Sequence, residues 1–228
     1  MEALLFHGQS VCILSEGNDT IRSNVKENSA ENGRDVVGFM RLFIAIPLRN
    51  NMKKLVRDIQ NSFREQNIRG NYTPEENLHI TLAFIGEYND PDEVLEAVGS
   101  ISCQRFSVTR DRVGCFDEIW WAGFAESEEM NSLARKIRRA LAEAGIPYDR
   151  KKFKAHVTVL RKPRYDRQGR KIPVSFEPET MQVDRISLMR SVRGKNGMIY
   201  TELGAVYAEQ QLDRRHEFDV LDKTGDNR

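Results

Sequence analysis

The sequence predicts an α+β fold: a duplicated, bilobal arrangement of two antiparallel sheets flanking a central cleft, with helices on the outside. Three observations predict it. Strand-like and helix-like segments succeed one another from residue 40 to residue 207 in an order that fits two sheets. The series strand, helix, strand occurs twice at nearly one pitch, the mark of an internal duplication. Each copy ends in a strand that carries His-x-Thr.

The first strand is Met40-Arg-Leu-Phe-Ile-Ala-Ile-Pro47, a dense apolar run ended by proline. Met52, Leu55, Val56, Ile59 and Phe63 then fall at helical spacing with polar residues between them, so one stripe faces a core. Gly70-Asn-Tyr-Thr-Pro74 breaks that pattern. Leu78-His-Ile-Thr-Leu-Ala-Phe-Ile-Gly86 is β-rich and closed by glycine, a second strand. A short helix around Pro91–Ser100 and a strand around Phe106–Cys115 lead to the second copy. There Ile119–Phe124 reads as a strand, and Met130, Leu133, Ile137 and Leu141 read as a helix that Gly145-Ile-Pro147 terminates. Phe153-Lys-Ala-His-Val-Thr-Val-Leu160 is the closing strand. From strand start to histidine the separation is 38 residues in the first copy (41 to 79) and 37 in the second (119 to 156). Val183–Met189 and Ile199–Leu203 flank Gly194-Lys-Asn-Gly197 and read as a hairpin.

The chain has 228 residues, 39% hydrophobic and 30% charged, the balance of one compact domain with a real core. Thirty-five Lys and Arg against 34 Asp and Glu leave a net charge of +1, so any basic patch must be local. The cysteines, Cys12, Cys103 and Cys115, show no CxxC spacing, which argues against a disulfide framework and a zinc site. Cys115 lies in an apolar run and reads as a core residue. No apolar run approaches the roughly 18 residues of a membrane span, and the N-terminus lacks the basic segment of a secretory signal. These points predict a reduced, cytoplasmic protein with no membrane partner; a monomer is the default, since the sequence does not fix the oligomeric state. Residues 1–39 are rich in Asn, Ser, Glu and Gly and read as an N-terminal extension that buries little surface. The globular domain then spans 40–207, and 208–228 reads as a polar C-terminal tail, a frayed helix.

Residues i and i+2 of a strand share a face, so His79 pairs with Thr81 and His156 with Thr158, backed by apolar Ile80, Leu82, Val157 and Val159. If the duplication turns both strands toward one cleft, the site holds two imidazoles and two hydroxyls. Such a set suits phosphodiester cleavage: one neutral histidine takes a proton while one protonated histidine gives a proton to the leaving oxygen. The hydroxyls can donate to the non-bridging oxygens. One His-x-Thr alone is ordinary strand composition, but two at equivalent places of a repeat form a pair. Outside them the chain has only His7 and His216, both in the presumed tails. A zinc site would need a third ligand, and neither a metal nor a cofactor is expected. A basic segment comprising Arg150, Lys151, Lys152, Lys154, Arg161, Lys162, Arg164 and Arg167 brackets the second motif and could attract an RNA backbone. Of the adjacent Trp120 and Trp121, which face opposite ways, one reads as core and the other as a wall of the cleft.

From Met40 to about Tyr207 the chain resembles the two-histidine (2H) phosphoesterase superfamily, and within it the bacterial and archaeal RNA 2′,3′-cyclic phosphodiesterases, the LigT/ThpR-like or "2′-5′ RNA ligase" family. The residues that carry this are Arg41–Pro47, His79–Gly86, His156–Arg161, Leu188-Met-Arg-Ser191 and Tyr200-Thr201. The resemblance implies a hydrolase acting on RNA 3′ ends or 2′,3′-cyclic nucleotides and leaving a 2′-phosphate, without a metal. It implies His79 as proton donor to O3′ and His156 as proton acceptor from water; the residues by themselves leave that order open. It also implies Arg161 as a phosphate-binding arginine and Phe84 as the aromatic that stacks on the terminal base. Strand alternation alone places Phe84 on the face opposite His79. Ligation through the same histidines, and RNA binding without catalysis, are the alternatives.

Overall fold

The computed structural model describes residues 39–116, 118–164, 177–195 and 197–208. The expected extension (1–39) and tail (208–228) lie outside the described residues except for Phe39 and Ala208, and so does Arg167. The elements in order are β1 (Met40–Pro47), α1 (Asn50–Glu65), β2 (Arg69–Tyr72), β3 (His79–Tyr88), α2 (Pro91–Gly99), β4 (Phe106–Phe116), β5 (Ile119–Phe124), α3 (Glu128–Glu143), β6 (His156–Arg164), β7 (Thr180–Val183), β8 (Arg185–Gly194) and β9 (Gly197–Tyr207). They form two sheets, ordered β3-β1-β8-β9 and β2-β6-β5-β4-β7, and every pairing within them is antiparallel.

Set side by side, β3-β1-β8-β9 matches β6-β5-β4-β7, with β2 as an added edge on β6. The two copies read from the sequence therefore occupy equivalent places, β1 with β5 and β3 with β6. Their helices are exchanged. α1 follows β1 of the first sheet but packs on β2, β6 and β7 of the second, whereas α3 follows β5 of the second sheet and packs on β3 of the first. α1 buries Met52, Val56, Ile59 and Phe63, and α3 buries Met130, Leu133, Ala134, Ile137 and Leu141, so each apolar stripe fills the space above the other copy's sheet. Ser127 caps α3 by accepting the Met130 N–H at 3.1 Å, and Asp90 caps α2 ahead of Pro91. No helix among the described residues is long and apolar enough to cross a membrane.

Four details differ from the sequence expectation. The Gly70–Pro74 break contains β2, because Asn71 and Tyr72 pair with Arg161 and Leu160, a partner about ninety residues away that no local pattern reveals. The expected Val183–Met189 strand divides at Asp184, whose carbonyl accepts the Ala208 N–H at 2.7 Å and whose carboxylate takes Arg49. β6 begins at His156, not at Phe153. Cys115 is exposed at the far end of β4, and Cys103 is the buried thiol.

Gly70 is held at φ +150°, and a Cβ there would lie 2.9 Å from the carbonyl oxygens of both Arg161 and Lys162. Gly70→Ala should therefore lower unfolding stability by about 1–3 kcal/mol, read by urea denaturation. An unchanged midpoint would show that the β2–β6 contact is not tight.

Candidate active site

Each motif strand must turn its histidine, its threonine and the residue five beyond the histidine to one side. Regular alternation cannot do this, because an offset of five reverses the face. Both strands solve it with a bulge at the same place. In β3, Ala83 pairs with Ile44 and Thr81 with Ala45, leaving Leu82 as the extra residue. In β6, Leu160 pairs with Trp120 and Thr158 with Trp121, leaving Val159 extra. The buried pairs Leu82-Ala83 and Val159-Leu160 mark the two bulges. Phe84 consequently shares a face with His79, contrary to simple alternation, and Arg161 shares one with His156.

All six side chains expected from the sequence, His79, Thr81, Phe84, His156, Thr158 and Arg161, line one cavity of about 800 Å³ where β3 and β6 meet. Among the described residues its charged lining is Arg41, Arg161, Lys162, Arg193 and Lys195, with no carboxylate. The local basic surface that a net charge of +1 leaves room for is here. A smaller hollow of about 380 Å³ continues it past Arg41 and Arg193 toward Arg190. Of the basic segment around the second motif, Arg161 and Lys162 reach the cavity. Lys154 instead lies over the Phe116 ring at 4.7 Å.

The histidines are oriented alike. Nδ1–H of His79 donates to the Asn77 carbonyl at 2.7 Å, and Nδ1–H of His156 donates to the Lys154 carbonyl at 2.7 Å, in each case two residues upstream. A carbonyl only accepts, so the proton of each neutral ring sits on Nδ1 and Nε2 is left for chemistry. Thr81 lies 3.1 Å from His79 Nε2 and donates its hydroxyl proton there. In the second half Thr158 accepts a long 3.4 Å contact from Arg161. Phe43 and Tyr200 wall His79, with ring centroids 4.8 and 5.3 Å away. Phe116 meets His156 edge-on at 5.9 Å. Arg41 sits 5.0 Å from the Phe84 centroid, near enough for a cation–π contact.

Burial pushes the His79 imidazole down from its ordinary 6.5 to about 4; the charges of His156 and Arg161 act in the same direction, and the Asn77 carbonyl opposes them. His79 is thus neutral at neutral pH in the free protein. Among the described residues no three His, Cys, Asp or Glu side chains gather as a metal-ligand set.

Sequence reasoning missed Arg41, Phe43, Arg193, Lys195 and Tyr200 as lining residues. Arg193 lies near the end of β8 and Lys195 in the β8–β9 turn, where a charge looks like ordinary solvation. Neither tryptophan lines the cavity. Trp120 packs edge-on against Phe63 of α1 at 5.3 Å, and Trp121 stacks on Phe116 at 4.8 Å. Gly114 and Gly123, where a Cβ would lie 2.4 and 2.6 Å from the indole, give Trp121 its flat bed.

The sequence profile of the 2′-5′ RNA ligase superfamily matches residues 49–195. The chain belongs to that superfamily. Among its relatives is the Archaeoglobus fulgidus protein named RNA 2′,3′-cyclic phosphodiesterase, 30% identical over 175 residues, covering 72% of this chain and 98% of that one. The Thermotoga maritima protein of the same name is 27% identical over 177 residues, covering 72% and 93%. In fold, apo Escherichia coli LigT superposes with a TM-score of 0.63 at 24% identity, over 76% of this chain and 99% of that one. The superfamily resemblance and the two-sheet architecture expected from the paired motifs both hold.

The His79 titration is directly testable. Imidazole NMR should show the neutral Nδ1–H tautomer from pH 7 down to pH 5, with protonation at about 4. Because the unfolded ring titrates near 6.5, the unfolded chain binds the extra proton between those values, and acidification through that window costs stability. Inorganic phosphate should raise the folded value by offsetting the charges of Arg161 and His156. A ring already charged at pH 6 would contradict the buried setting.

Proposed function

We propose that this chain hydrolyses the 2′,3′-cyclic phosphate of RNA 3′ ends, or of free 2′,3′-cyclic nucleotides, to a 2′-phosphate, without a metal ion. The observation that carries this is the pair of histidines at equivalent bulged strands of one cavity, each with Nδ1 tied to a carbonyl two residues upstream. The names of the two relatives above support the same substrate class. Among the described residues every charged group lining the cavity is positive, which favours a phosphate anion, and Arg161 offers it a guanidinium fork. Thr81 and Thr158 donate to the non-bridging oxygens, and Phe84 stacks the terminal base, tolerating any base.

In the cleavage step water adds to phosphorus while the bond to O3′ breaks. One histidine takes the water proton and the other gives a proton to O3′, so the pair ends with its protonation states exchanged. The family resemblance assigns donation to His79 and acceptance to His156. His79 is held neutral in the free protein partly by His156 and Arg161, and the arriving anion offsets both charges, raising its affinity for a proton. The low free-state value favours a second reading, in which His79 is the acceptor and His156 the donor. Ligation to a 2′-5′ bond would use the same groups in reverse.

His79→Ala and His156→Ala should each lower kcat on 2′,3′-cyclic AMP by roughly 10²–10⁴-fold with the fold retained. Product assignment by phosphorus NMR in the presence of EDTA should give the 2′-phosphate. Activity lost to EDTA, or a 3′-phosphate product, would overturn the proposal. A substrate with sulfur in place of O3′ needs no proton on its leaving group, so it should restore turnover selectively in the variant that lacks the donor.

A further inference from the structure

We propose that Gln60 and Arg138 are positioning residues that fix Arg161 and Phe84 by holding the bulge carbonyls of the opposite copy. Their placement is equivalent. Each is the eleventh residue of a 16-residue helix, α1 and α3 respectively. Gln60 Nε2 donates to the Val159 carbonyl at 3.1 Å and to the Thr73 carbonyl at 2.8 Å. Arg138 Nε donates to the Leu82 carbonyl at 3.3 Å, and its Nη1 donates to the Lys151 carbonyl at 2.8 Å. Val159 and Leu82 are the two bulge residues, and Thr73 and Lys151 belong to the segments that lead into the first and second motifs. Each helix thus ties the approach to its own histidine strand to the bulge of the other.

A bulge residue stands outside the regular ladder, so its carbonyl needs another donor. In β6 the Thr73 N–H supplies one at 3.0 Å and Gln60 a second. In β3 the Asp149 N–H takes the Phe84 carbonyl at 2.8 Å, while Arg138 takes that of Leu82. Gln60 is only 6% exposed, among Val56, Ile59 and Phe63 on a face that burial alone would fill with an apolar side chain. A buried amide is costly unless bonded, and both of its bonds go to these two carbonyls. Without the donors, β6 and β3 can relax toward plain alternation. A one-residue slip turns every later side chain to the other face, which removes Arg161 or Phe84 from the cavity and leaves each histidine in place.

The inference rests on the proposed cyclic phosphodiesterase reading, and double-mutant cycles on 2′,3′-cyclic AMP test it. Gln60→Met keeps the side-chain length, Arg138→Met keeps the apolar stem, and both remove the donors. Each should raise KM roughly tenfold or more with a smaller change in kcat, since misplacement of a binding group by about 1 Å is that damaging. In the Arg161→Ala background, Gln60→Met should cost less than about twofold, and Arg138→Met should cost as little in Phe84→Ala, because each pair acts as one unit. Additive costs would overturn the proposal. Should Gln60→Met fail to fold, Gln60→Glu replaces it: its acid form donates and its carboxylate does not, so its KM relative to the parent should climb with pH, and a flat ratio would count against the proposal. If Arg161→Ala itself leaves turnover unchanged, the functional reading of Arg161 fails. The cross-strand NOE between Trp120 and Leu160, which pair only while Val159 is bulged, then still decides positioning, and an unaltered register beyond Val159 in the donor-free variant would overturn it.

Discussion

A β-strand alternates sides at every residue, and the cavity needs the first, third and sixth residues of each motif on one side. That conflict is the constraint from which the rest of the site follows. Leu82 and Val159 resolve it by leaving the ladder, and the adjoining buried pairs keep the rear of each strand in the core. Once the bulges exist, their carbonyls must be satisfied, which brings Gln60 and Arg138 to them. Satisfying them from the helix of the opposite copy binds the two sheets at the cleft, where β3 and β6 touch. The geometry of the cavity and the packing of the core are therefore not separable here.

The cavity's electrostatics are asymmetric although its backbone is nearly symmetric. His79 stands between Phe43 and Tyr200 with its neutral form favoured, and Thr81 donates to its Nε2. On the other side Thr158 faces Arg161 instead of its own histidine. In the proposed reaction a bound phosphate draws both hydroxyls onto its oxygens and so releases His79 Nε2. The free protein thus stores one imidazole in a state that an anion is able to change.

Much of this was legible in the sequence because the repeat is written in residue types that need no tertiary context. Paired His-x-Thr motifs at matching distances after a strand locate both histidines and both threonines, and the amphipathic stripes of α1 and α3 locate the helices. The bulges were not legible. Leu82 and Val159 are ordinary apolar strand residues, and only the partners Ile44–Ala45 and Trp120–Trp121 reveal the extra position. For the same reason alternation misplaces Phe84. β2 was hidden because its pairing with β6 spans most of the domain. Gln60 reads as a polar interruption of an apolar stripe until its two carbonyl partners are known.

The exchange of α1 and α3 between the sheets bears on how small a working version of this molecule could be. One copy in isolation is a two-stranded ribbon with a single imidazole, its helix standing over a surface that only the other copy supplies. Two such copies, each lending its helix to the other's ribbon, are the least that brings two imidazoles to one cleft. Within that near-symmetric frame the sixth motif position differs, phenylalanine in one half and arginine in the other, which adds to the asymmetry that Phe43, Tyr200 and Phe116 impose on the two histidines.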